Sequence, residues 1–383
     1  MFELPPALRA WSDDVRAFVE AELQPHDDAV ERTGTIPESA RRALADRGFF
    51  GLNTAVEFGG RGLSMLATCV AAAELARAHI AFYYLSGVNV HIGSRPVELA
   101  GDDRQRRRWL PDLASGRKVA AFALTETGAG SDAAALVTEA TADGGGWVLR
   151  GAKTFITNAP IAATFTVFAR APASTGAPGI SAFVVDADTP GLRVGEPIEM
   201  LAGAGCGHAE VRFEDCRVGP DQLLGAEGDG FGIALRALDA GRVVWSAYCA
   251  GAAQRLLELA VDHVTTRSQF GAPLARHQHV EFELADLAAA VHAARLVAWE
   301  AAWRYDHGDD ADRRLASARA KLLNADVVWR VADSVLQLHG GLGYSRRLPI
   351  ERILREVRVV RILDGTSEMM RRIVGRAALG GRW

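Results

Sequence analysis

Residues 121–132 read Ala121-Phe122-Ala123-Leu124-Thr125-Glu126-Thr127-Gly128-Ala129-Gly130-Ser131-Asp132. An apolar run passes directly into a turn of glycines and hydroxyl side chains. In a dinucleotide-binding βαβ unit such glycines open a helix. Here no helical period follows Asp132. The chain instead continues in short β-rich runs divided by Gly, Pro and Asp. With Val119–Leu124 included, the runs are Trp147–Phe155, Thr164–Ala169, Ile180–Val185 and Glu210–Phe213. Asp143-Gly144-Gly145-Gly146 between two runs predicts a hairpin turn. Strands joined by short turns, without helical crossovers, predict an antiparallel β domain and exclude the doubly wound alternative.

The period changes on both sides of this segment. Upstream, residues 8–23 carry Leu8, Trp11, Val15, Phe18, Val19 and Leu23 at helical spacing, and Pro25 ends the pattern. Residues 37–47, 64–78 and 102–113 give further helical patterns, with Gly48 as a stop and Ser64 as a candidate N-cap. Downstream, four long helical patterns cover residues 231–265, 277–307, 309–339 and 349–379. Their length and short breaks predict a four-helix bundle. The expected class is α+β: an N-terminal α-helical domain over 1–118, a middle antiparallel β domain over 119–227, and a C-terminal four-helix bundle over 228–383.

Composition narrows the function. A length of 383 residues allows two or three domains, and the two changes of period select three. With 49% hydrophobic and 23% charged residues, disorder and fibrous sequence are excluded. A net charge of -4 gives no field that would attract nucleic acid or an anionic membrane. Among 43 basic residues only Lys118, Lys153 and Lys321 are lysine, a skew that reads as codon bias. Cys69, Cys206, Cys216 and Cys249 have neither CxxC spacing nor a histidine at a ligand interval, so no metal site is expected. Unpatterned cysteines fit a reducing compartment. The start, Met1-Phe2-Glu3-Leu4-Pro5-Pro6, lacks a basic stretch followed by an apolar one, and no apolar run is long enough for a membrane span. A cytoplasmic location is expected.

Five stretches carry chemistry. The turn at 125–132 exposes N–H groups and hydroxyls suited to a phosphate or a polar-edged cofactor. Trp147–Asn158 puts Phe155 and Thr157 on one strand face, an aromatic ring and a hydroxyl fit to meet a planar ring system. Arg267-Ser268-Gln269-Phe270-Gly271-Ala272-Pro273-Leu274, with Gln278, offers a cation and an amide beside a turn, suited to a pyrophosphate. Gln337-Leu338-His339-Gly340-Gly341-Leu342-Gly343-Tyr344 permits close backbone approach. Ile362-Leu363-Asp364-Gly365-Thr366-Ser367-Glu368 is a turn into a helix that Thr366 or Ser367 caps. Taken singly, each reads equally well as an ordinary loop, strand or cap.

In this order and at these intervals the five resemble the acyl-CoA dehydrogenase family, over nearly the whole chain. The resemblance implies an α domain, a β domain and a four-helix bundle, FAD as cofactor, and a homo-oligomer, tetramer or dimer, with the cofactor at a subunit interface. It implies that Phe122, Leu124, Thr125 and Ser131 meet the flavin, with Ser131 also near the substrate's pantetheine arm. Phe155 and Thr157 match positions beside the flavin ring, where the family often has Trp in place of Phe155. Arg267, Phe270, Gln278, Gln337 and Gly341 match positions that hold the FAD of a neighbouring subunit. Thr366 and Glu368 match FAD-contacting positions, and Arg242 matches an arginine near the acyl-CoA site. The implied substrate is acyl-CoA or a carrier-bound acyl thioester, and the implied electron acceptor is an electron-transferring flavoprotein.

Asp364 stands where the family's catalytic base is usually glutamate. Other members carry the glutamate one position before the residue matching Arg242; here that residue is Gly241. Asp364 is therefore the expected base for α,β-dehydrogenation. A thioester α-proton is weakly acidic, so a positioned carboxylate must take it while hydride leaves the β-carbon. Aspartate is shorter by one methylene, about 1.5 Å of reach. Two other readings fit the same residues: a flavin oxidase or monooxygenase such as nitroalkane oxidase, and a flavin-binding homologue without catalysis.

Overall fold

The computed structural model describes residues 3–382, so Met1 and Phe2 of the N-terminal stretch lie outside the described residues. Contacts divide the chain into two compact units. One comprises Pro25–Ser64 and Ile80–Gly241. The other comprises the residues up to Gln24, Met65–His79, and the chain from Arg242 onward.

The first unit is built on an eight-stranded sheet. Its strands are β1 (Ala120–Ala123), β2 (Glu139–Asp143), β3 (Gly146–Thr157), β4 (Thr164–Arg170), β5 (Ile180–Asp186), β6 (Leu192–Pro197), β7 (His208–Val218) and β8 (Leu223–Leu224). The order is β6-β7-β3-β2-β4-β5-β8, with β1 beside β4. Asp143 pairs with Gly146 across the predicted hairpin, and Gly144 and Gly145 take the positive φ that a two-residue turn requires. The hairpin-connected pairs are antiparallel, whereas β1 and the start of β2 run parallel to β4. The β2–β3 hairpin lies between β1 and β4 in the chain, so this parallel contact needs no helical crossover.

β4 and β5 are buried on both faces, which is why they read as mostly apolar runs without a regular apolar–polar alternation of buried and exposed positions. One face packs Phe165, Val167, Phe183 and Val185; the other packs Phe168, Ala182 and Val184 with Phe122, Leu124 and Trp109. β2 and β6 are largely exposed strands with few buried positions, so no apolar alternation marks them in the sequence. Ile80–Tyr83 and the wide turn Tyr84–Gly93 are buried all round, which leaves no amphipathic stripe to read.

The second unit is helical. Pro6–Phe18 and Met65–Leu75 pack together, and Gln278–His307 packs with Asp310–His339. The long helix Gly230–Thr266 enters this unit at Arg242. Asp306 caps the Met65–Leu75 helix from a distance: its carboxylate accepts from Met65 N–H at 2.8 Å and Leu66 N–H at 3.2 Å. The pattern expected as one helix over 349–379 is two, Ile350–Arg358 and Ser367–Leu379. The break has a backbone cause. Asp364 (φ 51°) and Gly365 (φ 93°) are left-handed and cannot continue a right-handed helix.

Gly251 marks a close helix contact of this unit. A Cβ built there meets Ala73 O at 1.9 Å, backbone that cannot rotate away. Gly251→Ala gains about 1 kcal/mol of helix propensity. It loses more to the forced separation of the helices, and overpacking of this kind costs about 1–3 kcal/mol. Net destabilisation is the expected result by chemical denaturation.

Candidate active site

Asp364 sits on the turn between the last two helices. As a residue it is half-buried, but its Oδ2 is covered and has no hydrogen-bond partner. The three successive carbonyls of this turn are held by two buried cations. Lys321 Nζ donates to Leu363 O at 2.5 Å and also to Gly365 O. Arg242 Nε donates to Asp364 O at 2.8 Å. Among the described residues the Asp364 N–H donates to no backbone carbonyl.

The electrostatics of the group are opposed. Burial raises the Asp364 carboxyl above the usual carboxylate range, while Lys321, Arg242 and a hydrogen bond from the Trp245 side chain pull it back. Burial lowers the Lys321 ammonium to about 8, against the attraction of Asp364. Cys249, buried beside Lys321, is raised to about 12 by desolvation and stays a neutral thiol. Past the turn, Thr366 is the N-cap: its Oγ accepts from Met369 N–H at 3.3 Å. Ser367, the other candidate cap, is buried with its Oγ unpartnered. Glu368 points to solvent and pairs with Arg371.

The same unit carries the two remaining helical motifs. Residues 267–274 form a small hairpin, with Ser268–Gln269 antiparallel to Ala272–Pro273. At its tip Phe270 is 97% exposed with φ 52°. A bulky residue in the left-handed region is an outlier. Arg267, Gln278, Gln337 and Gly341 are exposed as well. The rings of His263 and His339 stack at 4.1 Å, which brings the Arg267 hairpin and the Gln337–Gly341 turn to one end of the bundle. A cavity of about 620 Å³ between Gln278–His307 and Asp310–His339 is lined by Ala290, Val297, Leu323 and Arg330 and holds none of these site residues.

In the sheet unit, Phe122 and Leu124 are core side chains, with Phe122 packed on Phe168 at 4.8 Å. Both side chains are thus taken up by the core. Thr125 is half-buried, Ser131 is exposed, and nothing lies within 4 Å of a Cβ built on Gly128 or Gly130. The turn is therefore open to close backbone approach, as a phosphate-bearing cofactor requires. It is anchored from beneath. Glu126 accepts from Val137 N–H at 2.6 Å and Thr138 N–H at 2.9 Å. Lys153, fully buried, donates to Glu126 at 2.7 Å and to Leu124 O at 3.1 Å. Phe155 lies at a register shift of β3 with φ 57° and is 54% exposed, with Thr157 half-buried and Ile156 turned inward between them.

Sequence reasoning missed Lys321, Trp245 and Glu126 as parts of these sites. A signal for Lys321 existed. It falls on the buried face of its helix with Ala318 and Ala325, where a lone lysine needs partners.

Three family models match the chain: "Acyl-CoA dehydrogenase, N-terminal domain" over residues 5–117, "middle domain" over 121–216 and "C-terminal domain" over 228–379. The chain belongs to the acyl-CoA dehydrogenase family. It is 37% identical to the mitochondrial short-chain specific acyl-CoA dehydrogenase of Bos taurus, covering 97% of this chain and 90% of that one. It is also 37% identical to the 3-(aryl)acrylate reductase of Clostridium sporogenes, covering 94% of this chain and 95% of that one. Among solved structures, butyryl-CoA dehydrogenase from Megasphaera elsdenii superposes with a TM-score of 0.95 at 32% identity, over 99% of this chain and all of that one. Family membership makes the chain an FAD-dependent oxidoreductase.

Proposed function

We propose that this acyl-CoA dehydrogenase converts an acyl-CoA to a trans-2-enoyl-CoA, with Asp364 taking the α-proton. One observation carries the assignment: Asp364 Oδ2 is covered and unpartnered, on a turn whose carbonyls are all turned onto Arg242 and Lys321. A base needs a free lone pair in a dry place, because desolvation brings its proton affinity towards neutral pH. With the carbonyls held, the Asp364 N–H is left to donate to the thioester oxygen and polarise the carbonyl as the proton leaves. FAD, when bound, supplies the hydride acceptor at its N5. The open glycine turn, with the Phe122 and Leu124 backbone and the Thr125 and Ser131 hydroxyls, suits its polar edge. Phe155 and Thr157 suit the ring, and in the helical unit Thr366 and Glu368 would be further FAD contacts.

Phe270, held strained and bare at a hairpin tip, supports a further assignment. Together with Arg267, Gln278, Gln337 and Gly341 it meets the FAD of a second copy of the chain, and the enzyme is a homo-oligomer. Ser131, Arg242 and Asp364 bind the acyl thioester. An electron-transferring flavoprotein is the acceptor, in the cytoplasm. No helix among the described residues is long and apolar enough to cross a membrane. The modules along the chain are 1–118, 119–227 and 228–383, a division supported by the ranges of the three family matches.

The test is anaerobic titration of the flavoprotein with saturated acyl-CoAs of increasing length and branching. Stoichiometric bleaching by at least one of them, with slow reoxidation in air, is expected. Rapid reoxidation by oxygen alone would select an oxidase. Reduction of a 2-enoyl thioester without any forward reaction would select a reductase.

A further inference from the structure

Of the buried ionisable groups outside the assigned base and its arginine, Lys321 is the one that grips the turn carrying the base. We propose that Lys321 is a positioning residue of the reaction: from the Asp310–His339 helix it fixes the left-handed turn carrying Asp364 and keeps the Asp364 carboxylate ionised. The inference rests on the reading of Asp364 as the base.

The geometry is specific. Leu363 O and Gly365 O, on either side of Asp364, both accept from Lys321 Nζ, and the carbonyl between them accepts from Arg242. One ammonium thus spans the residue whose φ is 51°. A backbone in that region persists only where its surroundings over-determine it. Lys321 is 1% exposed. A buried ammonium is unfavourable unless it is paired, and an apolar side chain of the same volume would fill the helix face at lower cost. Retention of the charge therefore points to a task beyond packing.

The task follows from what faces Asp364. The Gly230–Thr266 helix presents Arg242, Trp245 and, beside Lys321, the neutral thiol of Cys249. On the turn's own segment, Arg361 is paired with Asp326 at 2.9 Å and Glu368 with Arg371 at 3.3 Å. Lys321 is the charge that the Asp310–His339 helix contributes. It opposes the burial that would otherwise protonate the base. Two functions are thereby joined in one side chain: the hydrogen bonds orient the carboxylate, and the charge sets its proton affinity.

Three variants separate the two functions. Lys321→Met removes donors and charge, Lys321→Gln keeps an N–H donor without charge, and Lys321→Arg keeps charge with altered geometry. In Met and Gln, the acidic limb of the anaerobic flavin-reduction rate moves to higher pH by about one unit or more. In Arg it stays near the wild-type position. Misplacement of the base lowers kcat in the Met variant on the order of 100-fold, with KM changed far less. A second readout needs no turnover. The carboxyl stretch of Asp364, taken as the infrared difference between each enzyme and its Asp364→Asn counterpart, titrates at correspondingly higher pH.

The proposal is overturned if the Met and Gln variants fold with full flavin and show unshifted limbs and carboxyl titrations. It is also overturned if no variant folds, since the lysine is then a stability element alone. If Lys321→Met fails to fold, the Gln and Arg variants decide. The underlying assignment fails separately: flavin bleaching by acyl-CoA that survives Asp364→Asn removes the base itself.

Discussion

Asp364→Asn leaves the yellow flavin spectrum intact and abolishes its bleaching by every acyl thioester. The substitution keeps the shape of the side chain and the backbone contacts to Arg242 and Lys321, so the turn persists. It removes the one group able to accept the α-proton there, because the position that supplies an alternative base in other family members is Gly241. General-base catalysis contributes up to about 10⁴-fold, and hydride cannot leave until the α-carbon begins to lose its proton, so the loss is at the upper end. The wild-type pH profile carries the same information. Burial raises the carboxyl of Asp364, so its rate falls on acidification at a pH above the ordinary carboxylate range. In the Asn variant that limb is absent. Rapid anaerobic mixing with an acyl-CoA reads both, and residual bleaching at even a tenth of the wild-type rate would remove Asp364 as the base.

The largest effect on stability is expected in the other unit. Lys153→Met strands Glu126 as a buried carboxylate facing the space its partner left. Breaking a buried pair from one side costs about 3–5 kcal/mol, more than the pair contributes when whole. Glu126 also holds Val137 and Thr138 in place, so the turn at 125–132 loses its anchor together with its charge balance. Scanning calorimetry of the purified protein should show a melting point lower by several degrees. Flavin content should drop with it. The double variant Glu126→Gln, Lys153→Met removes both charges and recovers part of the loss, which separates stranded charge from lost packing. A Lys153→Met protein that melts as wild type with full flavin would contradict the anchoring role.

The sequence made the architecture legible wherever period and burial agreed. β4 and β5 announced themselves as apolar runs, and the long helices by their spacing. The turn at Asp364 was legible as a motif, but its geometry was not. The helical pattern runs across residues 349–379, but the helix tightens after Arg358 and the left-handed backbone at Asp364 and Gly365 then prevents it from resuming before Ser367. That conformation also bears on the residue type, since aspartate enters the left-handed region more readily than longer side chains. Lys321 showed a need for partners by its place on a buried helix face, but not which partners. It meets Leu363 and Gly365 from 42 and 44 positions away, through backbone atoms that leave no trace in residue identity. Phe122 and Leu124, read as flavin contacts, are core side chains, because a strand can offer a ligand its backbone while burying its side chains.

The three lysines form an unplanned set of reporters. Lys153 and Lys321 are shut away, one in each compact unit, and Lys118 has half its side chain in solvent. An acylating or reductively methylating reagent applied to the native enzyme should therefore modify Lys118 ahead of the other two lysines. Each interior lysine becomes reactive only when its own unit opens. Two peptides in a time-resolved labelling experiment would then clock the opening of the sheet unit and of the helical unit independently, without any engineered probe.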